Sequence, residues 1–137
     1  MKTTERIWFS LAEVALFFNA LVLLSVTMDL EWVRSRAAGG QFEEFPIGIR
    51  ATYLLMAIGM LYLMRFLRTL YRAERDLSKR ERSAAKWLGI LFLVSTVTQL
   101  ISRSPDERWN AIPAVIIATA FLRVYRATAA RFSAEEN

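Results

Sequence analysis

The stretch WFSLAEVALFFNALVLLSV, residues 8–26, sets a carboxylate, Glu13, inside an apolar run from Ile7 to Met28 whose other strongly polar member is Asn19. Six residues into a helix is a depth of ~9 Å, inside an apolar layer but short of its midplane. An acid there has two uses. It can pair with a cation from a neighbouring helix, because buried polar groups need partners, or it can bind protons or cations on a transport path. Arg65 and Arg123 match its depth and are the expected partners, and Ser10 shares its face one turn away. Asn19 lies ~18 Å into the run and about 240° around the helix from Glu13, so it is expected to hydrogen-bond another helix.

Two further sets have helical spacing. Ser95, Thr98, Gln99 and Ser102 form a polar stripe that either lines a watery path or bonds its own backbone and glues helices. Arg65, Arg68, Arg72 and Arg75 form a basic stripe suited to anionic lipid headgroups on the cytoplasmic side, or to an acidic partner. Catalytic chemistry has little to stand on. The chain has no cysteine and no histidine, which removes thiolate nucleophiles, His-based triads and Cys/His zinc sites. Asp29, Glu31, Glu43 and Glu44 are scattered along one loop, and there is no phosphate-cradling glycine loop. Met56, Met60 and Met64 read as core or lipid contact rather than metal ligands. The expectation is no enzyme, no metal and no cofactor.

The elements that position these residues are apolar runs. Four can be marked: Ile7–Met28, Pro46–Met64, Trp87–Ile101 and Trp109–Leu122. The last two approach a full span only with help from interfacial Trp87, Trp109 and Tyr125 and from snorkelling Lys86, Arg103 and Arg123. The first run is too long for a signal-peptide core, and no small-residue cleavage site follows it, so it reads as a retained helix. Fifteen of the 18 cations are arginine and they cluster at run ends, which favours lipid headgroups over nucleic acid. Residues 65–86 hold eight Lys/Arg against three acids, whereas residues 29–50 hold three against four. The positive-inside rule therefore puts the 65–86 connection and both termini in the cytoplasm, in agreement with Lys2, Arg6, Arg123, Arg126 and Arg131.

Helix ends are also marked. Ser78-Lys79-Arg80-Glu81 and Ser104-Pro105-Asp106-Glu107 each have the Ser-x-x-Glu capping box, the second with proline at the first helical position. Leu63, Phe66, Leu70, Ala73 and Leu77 continue the second helix as a packing seam, predicting a helix from Pro46 to Leu77 and a hairpin that protrudes into the cytoplasm. The first helix is expected to run on through DLEWVRSRAA to Gly39-Gly40, where glycine can take the left-handed cap. Pro113 should bend the fourth helix, and Ala111, Ala114 and Ala118 give it a small-residue packing face.

Residues 11–14, LAEV, resemble the first-helix motif of the small multidrug resistance transporters, four-helix proteins whose first-helix glutamate binds protons and cationic drugs. The resemblance covers four of 137 residues. On that likeness Glu13 would be the binding carboxylate. The aromatic and glycine motifs of that family have no counterpart in the later helices, and the cytoplasmic hairpin is foreign to it.

The expected fold is all-α: one domain, residues 1–137, a bundle of four transmembrane helices with spans near 7–28, 46–65, 86–102 and 108–125. The expected function is a non-catalytic accessory or assembly subunit of a larger membrane complex, its partners being lipids and other membrane subunits or copies of itself. The alternative is a small oligomeric transporter or channel using Glu13, with Ser95, Thr98 and Gln99 on the path. Composition inclines to a bacterial cytoplasmic membrane.

Overall fold

The computed structural model describes residues 3–73 and 77–135, and among them there is helix and no strand. Four long helices, α1 (Thr3–Thr27), α2 (Ile47–Arg72), α3 (Lys79–Leu100) and α5 (Ala111–Glu135), are joined by turns that include a single helical turn, α4 (Pro105–Arg108). α1, α2 and α3 are each long and apolar enough to cross a membrane.

The packing is a row rather than a closed square. α1 packs along α2 and α5, α5 packs along α3, and α2 and α5 barely touch. The inner pair is thus α1 and α5, flanked by α2 and α3. Small residues make this possible. Ala12, Ala15 and Ala20 of α1 and Ala111, Ala114, Ala118 and Ala120 of α5 are buried, and short side chains let helices approach closely. Larger residues fill the remaining space: Leu16, Leu67, Ile117 and Phe121 are fully enclosed, and Phe121 lies between Phe66 and Phe92 with ring centroids at 6.4 and 6.5 Å. Gly89 admits α5 to α3, because a Cβ there would fall 2.7 Å from the Leu122 side chain.

Three expected helix boundaries move. α1 does not reach Gly39-Gly40. It stops at Thr27, because Asp29 takes a left-handed backbone (φ 57°), followed by two 3-10 turns, Glu31–Arg36 and Ala38–Gly40. The second helix ends at Arg72 instead of Leu77, since Ala73 is already extended (φ −63°, ψ 116°), although Leu70 and Leu77 of the predicted seam are both buried. Pro113 is not a kink in mid-helix. The chain turns at Trp109-Asn110 and α5 begins at Ala111, which leaves the proline in a first turn, where its missing N–H does no harm. The Ser78 box forms in full: Ser78 Oγ accepts from the Glu81 N–H (3.2 Å) and the Glu81 carboxylate accepts from the Ser78 N–H (2.9 Å).

The end of the molecule opposite the α2–α3 connection is stapled by its own loops. Asp29 accepts from the Phe45 N–H (3.1 Å) and from Arg34 (3.3 Å), drawing the 29–46 loop onto a small core of Val22, Val26, Val33, Ala37 and Phe45. Glu107 accepts from the Gly39 N–H (3.0 Å) and from Ser102 Oγ, Ser104 Oγ donates to the Ser35 carbonyl, and Asn110 Nδ2 donates to the Arg36 carbonyl (3.0 Å). Glu107 therefore leaves its capping box half made. Ser104 Oγ still accepts from the Glu107 N–H (3.4 Å), but the carboxylate serves the neighbouring loop.

Two outcomes follow. Gly89→Leu should force α3 off α5 and cost about 1–3 kcal/mol in detergent unfolding, whereas Gly59→Ala, with open space around it, should be neutral or gain ~0.5–1 kcal/mol. The Phe45 N–H, helped by Arg34 against the effect of burial, holds the Asp29 carboxyl below its ordinary 3.8. Its contribution is therefore present above the unfolded-state value and is lost as pH falls through the lower folded one. Asp29→Asn should flatten that acid limb in a pH series of melting temperatures.

Candidate functional site

At the end where α1 begins and α2 finishes, the two acids of α1 hold its two neighbours. Arg68 of α2 brings both Nε (2.6 Å) and Nη2 (2.5 Å) to Glu13 Oε1. Arg123 of α5 brings Nη2 to Glu5 Oε1 at 2.5 Å and lies 5.7 Å from the Trp8 ring centroid. Phe9 and Tyr71 fill the space between α1 and α2 here, with ring centroids 4.8 Å apart. The arrangement follows from antiparallel packing, in which the start of one helix meets the end of the next.

The expected partners of Glu13 are corrected in identity though not in type. Arg65 and Arg123 match Glu13 in depth, and depth carries no information about rotation around a helix. Arg68, three residues beyond Arg65, faces α1, while Arg123 is taken by Glu5. Glu5, at the head of α1, is a second acid that fastens α1 to a neighbour, and it lies just before the apolar run. Its signal was present: it stands eight residues before Glu13, about 80° away around the helix, and so is aimed at a different neighbour.

Arg65, Arg68, Thr69, Arg72 and Ala73 line an open groove of about 490 Å³ along the last turns of α2. Arg68 alone of its three arginines is engaged by an acid among the described residues. Thr69 Oγ1 donates to the Arg65 carbonyl at 3.1 Å. Arg75, the fourth member of the basic stripe, lies outside the described residues.

The remaining candidates disperse. Asn19 does not reach another helix; Nδ2 donates to the Ala15 carbonyl (3.2 Å), the acceptor one turn back on its own helix. Thr98 Oγ1 donates to the Ser95 carbonyl (2.8 Å), and Ser102 turns to Glu107. Gln99 is half-buried, with its Oε1 enclosed and without a hydrogen-bond partner among the described residues. Two of the four stripe hydroxyls and amides are thus spent, Thr98 on its own backbone, as small hydroxyls in helices commonly are, and Ser102 on the α4 turn. Among the described residues no group of three Asp, Glu, His or Cys side chains is placed to hold a metal.

What the site can do chemically is bind anions and lock helices. The pairs are partly exposed, so each is worth a modest amount. A double-mutant cycle with Glu13→Gln and Arg68→Gln should return a coupling of about 0.2–1 kcal/mol. The cycle with Arg65→Gln in place of Arg68→Gln should return none. Compared with protein-family models, curated proteins and solved structures, the chain matches none of them.

Proposed function

We propose that this chain is an integral protein of a bacterial cytoplasmic membrane, crossing it four times with both termini inside, and that it serves as a non-catalytic assembly subunit of a larger membrane complex. The fourth crossing is α5, whose segment Ala111–Leu122 carries no charge before Arg123. With eight cations between residues 65 and 86, the α2–α3 connection belongs on the cytoplasmic side. At ~1.5 Å per residue α2 is ~39 Å long against a hydrocarbon layer of ~30 Å, so its last turns would stand in the headgroup region.

The observation that carries the assembly reading is the bareness of α2. Only 6% of its apolar window is buried within the chain, against 33% for α1. A helix tied to its own protein along one narrow edge offers the rest of its surface to lipid or to another protein's helices. Glu13 supports the same reading, since an acid engaged at 2.5 Å by Arg68 works as a fastener between α1 and α2. The transport reading needs that carboxylate free.

Extraction from native membranes in mild detergent tests the proposal. Foreign subunits in fixed stoichiometry with this chain are expected. A particle made of this chain alone, with vesicles that conduct cations and lose conduction on Glu13→Gln, would replace the assembly reading with the transport one.

A further inference from the structure

The geometry points to the groove at the end of α2 as a binding site for a phospholipid headgroup carrying two negative charges. The inference rests on the membrane-spanning reading of α2 and is independent of the assembly reading. Three observations carry it.

The first is charge. Arg65, Arg68 and Arg72 share one groove of about 490 Å³, and Glu13 engages Arg68 alone. Three guanidinium charges less one carboxylate leave +2, carried by Arg65 and Arg72, which have no acid partner among the described residues. Guanidinium groups suit phosphate because their N–H forks match two oxygens at once.

The second is placement. Arg68 is held in place by Glu13, so one wall of the groove is ordered before a ligand arrives. Thr69 adds a hydroxyl between the arginines, itself anchored on the Arg65 carbonyl.

The third is what lies beneath. Leu61, Ile58 and Leu54 stand four, seven and eleven residues before Arg65, on the same face of α2, and all three are exposed. A headgroup in the groove would lay its acyl chains along that track. A soluble phosphate has no use for such a track, and the coincidence of groove and track on one helix face selects a lipid.

The test uses the full-length chain, purified alone in neutral detergent, with bound lipid read by native mass spectrometry and stability by thermal unfolding. Dioctanoyl phosphatidic acid should bind one per chain and raise the melting temperature. Dioctanoyl phosphatidylcholine and inorganic phosphate should do neither. Arg65→Gln with Arg72→Gln should weaken phosphatidic acid binding about tenfold or more. Arg36→Gln with Arg103→Gln, the same loss of charge at the other end, should leave it unchanged. Phosphatidylcholine binding equal to phosphatidic acid, inorganic phosphate binding as tightly as the lipid, or equal losses in the two double variants would each overturn the site. If the Arg65/Arg72 variant fails to fold, phosphatidic acid against phosphatidylcholine on the unaltered chain still decides it. A chain that stays in solution without detergent would overturn the membrane-spanning reading together with the site, whereas one that needs detergent and binds both lipids alike overturns the site only.

Discussion

A charge set into an apolar layer has to be met by an opposite charge, and in this protein that constraint arranges the helices. Glu13 stands six residues inside the otherwise uncharged stretch that begins at Ile7, and it is met by Arg68. Glu5, at the head of the same helix, is met by Arg123. Each pair is worth little as stability. Their geometry matters more: α1, an inner helix of the row, is fastened to α2 by one and to α5 by the other. Small residues then set the distance, and Phe121, stacked between Phe66 and Phe92, fills what they leave.

The two ends of the molecule are built differently. At the Glu13 end the charges are cationic in excess and the groove is open. At the opposite end the polar groups are consumed by the fold, with Asp29, Ser104, Glu107 and Asn110 each bonding a stretch of loop backbone. Those bonds tie the α1–α2 connection to the α3–α5 connection, so the end is a closed cap. The exposed apolar flanks of α2 and α3 lie between these two ends.

Much of this was legible in the residues, and what was not has physical causes. Helix content and the start of α3 follow from local signals, hydrophobic run length and the reciprocal Ser78–Glu81 box. The end of α1 does not, because continuation to Gly39-Gly40 and a break at Asp29 have similar local cost. The choice falls to bonds from Asp29 to the Phe45 N–H, 16 positions on, and to Arg34, both made only once the loop has folded back. Aspartate does enter the left-handed region more readily than most residues, and that was the signal available. Glu107 was recognised as a cap, but Gly39, 68 positions away, competes for its carboxylate. The ion pair of Glu13 was foreseen in kind. Its partner was not, because translation along a helix can be counted from sequence while rotation between two helices is decided by how their side chains pack.

Everything proposed for this protein depends on the open, basic end and the closed, stapled end lying on opposite sides of one membrane. The absence of cysteine from the sequence makes this directly measurable, since any cysteine introduced is the only one. Thr69→Cys, in the groove, and Gln41→Cys, in the exposed loop, would each be treated with a membrane-impermeant maleimide on intact cells and again after permeabilisation. Gln41→Cys is expected to label from outside, and Thr69→Cys only once the membrane is opened. Labelling of both from the same side would contradict it.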